Sequence, residues 1–202
     1  MSKRVENSPS PDVLMTSMRS IGYSFKTALA DIIDNSISAS AKNVRITLPI
    51  SDDEVYISIL DDGFGMANLD LLNAMKYGSD RNEYTSQDLG RFGLGLKSAS
   101  LSQCRILTVA SKINKEISAY QWNLDEVLKC KKWECLQLNQ KEIDDIPSIQ
   151  DLKIQDEGTL VVWQNFDIAI KKSNGLVREY LVDEMDDAEQ HLALLRNRQE
   201  SI

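Results

Sequence analysis

Two carboxylates and an amide, Asp31, Asp34 and Asn35, lie within little more than one helical turn of each other. They belong to residues 25–41, a run without glycine or proline. At about 100° per residue, Leu29, Ile32, Ile33 and Ile37 share one face and the three polar residues take the opposite one. Like charges at this spacing repel by roughly a few tenths of a kcal/mol. Two readings fit. One is a solvated polar face. The other is an oxygen-rich site that holds a hydrated cation or activates a water.

Two glycine segments follow. In Asp61-x-Gly63-x-Gly65-Met66 a carboxylate ends a strand beside glycines that let a ligand approach the backbone. Such a carboxylate can accept from an exocyclic amine and so read adenine. An ordinary Asp-Gly turn has the same appearance. Gly90-x-x-Gly93-x-Gly95-Leu96-Lys97-Ser98 runs into a helix, whose free amides and positive dipole end suit an anion. Lys97 would add a charge near phosphate oxygens. The spacing is neither that of a P-loop nor that of a dinucleotide fingerprint.

The elements that must position these residues are legible in outline. Residues 11–20 suit a short helix that Gly22 breaks, and 24–41 suit a second one. Residues 43–48 alternate polar and apolar, 51–53 form a turn, and 55–60 continue as a strand, which makes a hairpin. A helix is expected over 69–77, and a polar, aperiodic loop over 78–87. Residues 105–111, 117–123, 133–138 and 159–166 read as strands. An irregular acidic connection spans 139–156, and a helix follows Gly175 to about residue 199. Helices and strands come in blocks, so the fold class is α+β, a mixed, mainly antiparallel sheet with helices on one face.

The 202 residues carry 31 acidic and 23 basic side chains, a net charge of -8. Such a balance gives no global electrostatic footprint for nucleic acid, although a local basic patch remains compatible with it. No apolar run reaches the roughly 18 residues of a membrane span, and the N-terminus lacks a signal peptide's apolar core. A cytoplasmic location is expected. Cys104, Cys130 and Cys135 lack metal-ligand spacing and read as reduced thiols. His191, the single histidine, lies in the charged C-terminal helix and reads as a surface residue.

The three motifs, in this order, resemble those of the GHKL ATPase superfamily, which includes DNA gyrase B subunits, MutL proteins, heat-shock chaperone ATPases, histidine kinases and MORC proteins. Residues 30–36 and 90–98 look most like MORC-type and related bacterial ATP-binding proteins. The resemblance covers about residues 16–166 and implies a two-layer Bergerat α/β sandwich that binds ATP and Mg²⁺. It divides the chain into a leader at 1–10, an ATP-binding domain at 11–170 and a helical extension at 171–202.

Carried over by motif, Asp31 activates the attacking water and Asn35 is the Mg²⁺ ligand, with Asp34 a supporting carboxylate. Asp61 holds the adenine amine, and Gly63, Gly65 and Met66 shape its pocket. Gly90, Gly93, Leu94, Gly95, Leu96 and Lys97 meet the phosphates. Residues 78–87 are the ATP lid, and Thr159 lies near the adenine. Gyrase- and MutL-like members carry Glu where this chain has Asp31, so turnover is expected to be slow. The implied behaviour is ATP hydrolysis coupled to a conformational change or a homodimer, in a system with DNA or DNA-processing partners. A nucleotide-gated module with little turnover is the alternative. Histidine-kinase phosphotransfer is disfavoured, because the one histidine follows the motifs.

Overall fold

The computed structural model describes residues 9–20, 22–49, 55–77 and 95–199, with side chains to residue 191. Helices α1 (Pro11–Arg19) and α2 (Phe25–Ser38) precede strands β1 (Val44–Thr47) and β2 (Tyr56–Asp61). Helices α3 (Asn68–Met75) and α4 (Gly95–Gln103) follow. Then come β3 (Ile106–Ile113), β4 (Glu116–Asn123), α5 (Leu124–Cys130), β5 (Leu136–Gln137), α6 (Gln140–Asp144) and α7 (Ile149–Ile154). Strand β6 (Gly158–Gln164) and helices α8 (Asp167–Lys172) and α9 (Val177–Gln199) complete the chain.

The sheet order is β1-β2-β6-β3-β4-β5, and every pairing among the described residues is antiparallel. Period-two alternation divides β2, β3 and β6 between two faces. Ile57, Ile59, Leu107, Val109, Val161 and Trp163 point into the main core, where Phe25, Leu29, Ile32, Leu71 and Leu101 meet them from helices. Phe25 stands edge-on to Trp163, with ring centroids 6.0 Å apart. This α+β layer is the expected fold class.

The opposite sheet face is not bare. Leu60, Ala110, Ala119, Leu160 and Val162 pack against Ile143, Ile146, Ile149 and Leu152. Residues 139–156 therefore hold two short helices and not an irregular connection. The isoleucines recur every three residues, and Asn139 and Glu142 form a reciprocal capping box. The expected strand at 133–138 shrinks to two paired residues, Leu136 and Gln137. Helix α9 packs on this domain, with Leu181 and Ala188 buried in the main core.

Helix α2 buries Phe25, Ala28, Leu29, Ile32 and Ser36. The expected apolar face is thus rotated: Ile37 is 62% exposed, and a serine takes an inward position instead. Helix α4 is fixed at its C-terminal end. Arg19 donates to the carbonyls of Leu101 at 2.7 Å and Cys104 at 2.6 Å, and pairs with Asp167. Arg105 also reaches Asp167, at 3.2 Å. A guanidinium over terminal carbonyls complements the negative end of the helix dipole.

Trp163 is fully buried, and its indole N–H has no hydrogen-bond partner among the described residues. Trp163→Ala is expected to cost ~3–5 kcal/mol in urea unfolding. Trp163→Phe should cost far less, because it also removes a buried donor whose desolvation opposes folding by ~1–3 kcal/mol. Equal losses for the two variants would contradict this account.

Candidate functional site

Asp61 ends β2 and is 6% exposed. A buried carboxylate needs donors, and three elements supply them. Ser36 of α2 donates its hydroxyl to Oδ2 at 2.9 Å. The Gly63 amide donates to Oδ1 at 3.0 Å, and the Thr159 amide of β6 donates to the same oxygen at 3.2 Å. Burial pushes the Asp61 carboxyl above its ordinary range, against the pull of these three bonds.

Close backbone approach requires glycine around it. Gly65 has φ +63°, and a Cβ there would lie 2.1 Å from the Lys112 carbonyl oxygen. Gly158, at φ +149°, brings its backbone so close to β2 that a Cβ would lie 2.2 Å from the Asp61 carbonyl oxygen. The segment after β2 and the start of β6 are thereby pressed together around one carboxylate. Met66 packs against the main core and donates its amide to Ser111 Oγ at 2.8 Å.

Asp31 and Asp34 are half-buried on α2, and Asn35 is exposed. Burial raises the Asp31 carboxyl, a hydrogen bond from the Tyr23 hydroxyl lowers it, and the charge of Asp34 raises it again. Burial likewise raises Asp34. Gly95 opens α4 facing this cluster: a Cβ on it would stand 3.9 Å from Asp31 Oδ2. Leu96 is partly buried against the main core. The structure thus joins the acidic face of α2 to the glycine motif that the sequence places some sixty residues later.

Lys97 sits against α3. It is 2% exposed, donates from Nζ to the Ala74 carbonyl at 2.7 Å, and stands 6.0 Å from the Tyr77 ring centroid. The ammonium engages the last turn of α3, where the helix dipole is negative. Gly90, Gly93, Leu94 and the expected lid at 78–87 lie outside the described residues.

Among the described residues, no group of three or more His, Cys, Asp or Glu could hold a metal ion by itself. The donors present, two carboxylates and an amide oxygen, are hard oxygens. They suit Mg²⁺, which takes few protein ligands and keeps waters or substrate phosphates. The residues therefore fit that ion.

Sequence reasoning missed Ser36, Ser111 and Tyr23. Ser111 Oγ lies 2.9 Å from Thr159 Oγ1 and 3.0 Å from the Gly158 carbonyl oxygen. Tyr23 is held through its own carbonyl, which accepts from Gln103 Nε2 at 3.0 Å. A polar residue at an inward helix position was the available signal for Ser36. Nothing in the sequence pattern marks the other two.

Comparison with known proteins agrees with the family resemblance. A family model described as histidine kinase-, DNA gyrase B- and HSP90-like ATPase matches residues 23–159. ATPase morc-1 of Caenorhabditis elegans is 32% identical over 93 residues, which are 46% of this chain and 11% of that protein. The chain therefore spans only a small part of that relative's length. Matched over more than half of its own residues, it belongs to the histidine kinase-, DNA gyrase B- and HSP90-like ATPases.

Proposed function

We propose that this chain binds Mg²⁺-ATP across α2, β2, β6 and the start of α4, and hydrolyses it slowly. The observation that carries the reading is the placement of two unlike sites on one helix. Through Ser36, α2 braces the buried Asp61 carboxylate, and through Asp31 it faces Gly95. Those two positions are five residues apart, about 7.5 Å along the helix axis. An extended ligand with a base at one end and an anion at the other matches that layout.

In this reading Asp61 accepts from the exocyclic amine of adenine. Asn35, with Asp31 and Asp34 beside it, supplies the oxygens for Mg²⁺. The ion, when bound, neutralises phosphate charge. The first amides of α4 offer donors to the phosphates. Asp31 receives the proton of the attacking water, and Tyr23 orients its carboxylate. Phosphoryl transfer asks mainly for such positioning and charge stabilisation. Coupling of the bound nucleotide to dimerisation, and to DNA or DNA-processing partners, belongs to the same proposal and is argued from the family resemblance.

A switch with little turnover is the second reading. Asp31 is a methylene shorter than the glutamate of better-known relatives, and the nearby Tyr23 hydroxyl lowers its carboxyl, which weakens it as a base. Phosphate release, measured against nucleotide binding, separates the two. Asp31→Asn should reduce phosphate release by about a hundredfold or more, while calorimetric ATP affinity stays within a fewfold. Wild-type turnover in Asp31→Asn would remove Asp31 from the role. Asp31→Glu should turn over at least as fast as wild type. Because burial raises the Asp31 carboxyl above its ordinary 3.8, activity should fall on acidification at a pH above that value.

Asn35→Ala is expected to lose the Mg²⁺-dependent part of ATP affinity. Unchanged affinity with and without Mg²⁺ would exclude Asn35 as ligand.

Asp34 gives a test of stability linkage. Its carboxyl is raised by burial, so the ionised form is disfavoured in the folded state. The penalty is absent below the ordinary 3.8 and is fully present above the folded value. Asp34→Asn should therefore raise Tm at neutral pH, and the gain should vanish as the pH falls towards 3.8. A Tm gain independent of pH would reject this origin.

A further inference from the structure

Ser111 is fully buried and touches no solvent, whereas Thr159 at 8% and Asp61 at 6% keep a little exposed surface. The Ser111 hydroxyl has one hydrogen to donate and two lone pairs. Its three neighbours account for all of them. The Gly158 carbonyl, 3.0 Å away, can only accept, so it takes the Ser111 hydrogen. The Met66 amide, 2.8 Å away, can only donate, so it fills one lone pair. The contact with Thr159 Oγ1 at 2.9 Å is left with a single polarity: Thr159 donates to Ser111.

The consequence lies on the ligand side. Having given its hydrogen to Ser111, Thr159 Oγ1 presents only lone pairs to the space in front of it. Asp61 presents only lone pairs as well. Its Oδ1 is engaged by two backbone amides and its Oδ2 by Ser36, which leaves acceptor capacity and no hydrogen. We infer that Ser111 is a positioning residue for base selectivity, which fixes Thr159 as an acceptor so that the wall it shares with Asp61 accepts a 6-amino purine and rejects a 6-oxo purine.

This rests on the proposed adenine site and adds to it a residue that the motifs do not contain. A 6-amino group brings two N–H donors to an acceptor-only wall. A 6-oxo group brings an acceptor, which leaves buried lone pairs facing one another, and mismatches of this kind are the strong ones. Without Ser111 the Thr159 hydroxyl can rotate and donate, and part of that mismatch disappears.

The test is calorimetric titration of the full chain with ATP and with inosine triphosphate, both with Mg²⁺, and the readout is the ratio of the two affinities. Wild type should prefer ATP. Ser111→Ala should lower the ratio by about threefold to tenfold, and Ser111→Thr, which keeps the hydroxyl, should retain it. In Thr159→Val there is no hydroxyl to orient, so adding Ser111→Ala should leave the ratio unmoved. Should Ser111→Ala fail to fold, Ser111→Cys, a weaker donor and acceptor of similar size, should lower the ratio in the same direction by less.

If wild type binds ATP and Ser111→Ala keeps the wild-type ratio, the inference is overturned and the ATP reading stands. An equal effect of Ser111→Ala in the Thr159→Val background would also overturn it, because Ser111 would then act on the fold and not through Thr159. If wild type binds neither nucleotide, the ATP reading itself fails.

Discussion

The carboxylate of Asp61 is the point on which several independent parts of this fold agree. Burying an ionised group costs several kcal/mol unless hydrogen bonds replace its water. Here the replacements come from α2, from the turn after β2 and from β6. Asp61 and Thr159 are also register partners in the β2–β6 ladder. A slip of β6 by one residue would turn Val161 and Trp163 out of the core and remove the Thr159 amide from the carboxylate. Apolar packing and polar satisfaction thus select the same register. The same requirement explains the serine at an inward position of α2: an apolar residue there would pack but would leave Oδ2 without its side-chain donor.

A second constraint sets where α4 begins. The helix is held at its far end, where Arg19 binds the Leu101 and Cys104 carbonyls and Gln103 reaches back to the Tyr23 carbonyl. With that end fixed against α1 and the start of α2, the opening glycine stands against Asp31. Tyr23 links α4 and Asp31, since its carbonyl accepts from α4 and its hydroxyl lies near enough to Asp31 to lower that carboxyl. The geometry between the acid and the helix start is therefore held from both ends of α4, since Lys97 and Leu96 anchor its first turn to α3 and the core.

Those contacts divide what the sequence could and could not reveal. Asp31, Asp34, Asn35 and Asp61 are legible because local periodicity and glycine spacing place them at a helix face and a strand end. The β1–β2 hairpin and the α+β order are legible for the same reason. Ser36 is marked only as a polar residue on an apolar face and Ser111 not at all, because the role of each comes from a partner 25 to 48 residues distant. The error at Ile37 is of that kind too. A helical wheel ranks hydrophobicity, but the true inward face follows what the sheet needs, and there it needs a hydroxyl. For α6 and α7 the acidic composition obscured a three-residue isoleucine spacing and a capping box that were both present in the chain. In the sequence, Lys97 has only a place after the glycines. Only the tertiary packing shows that its nitrogen lies over the end of α3.

Electrostatics sort the aspartates in a way that sequence cannot. Asp62 and Asp125 are pulled below the ordinary carboxylate range by hydrogen bonds from Asn43 and from Arg105, and Asp144 by one from Lys153. Charges of that kind favour the folded state. Asp31, Asp34 and Asp61 are pushed the other way, each chiefly by burial. Their ionisation opposes folding, so their contribution to stability does not account for their presence. Carboxylates that a fold holds against their own hydration are candidates for chemistry or ligand binding. In this chain the three so held are the same three that motif spacing nominated. Two observations with different physical origins, residue spacing and desolvation, converge on one face of α2 and the end of β2.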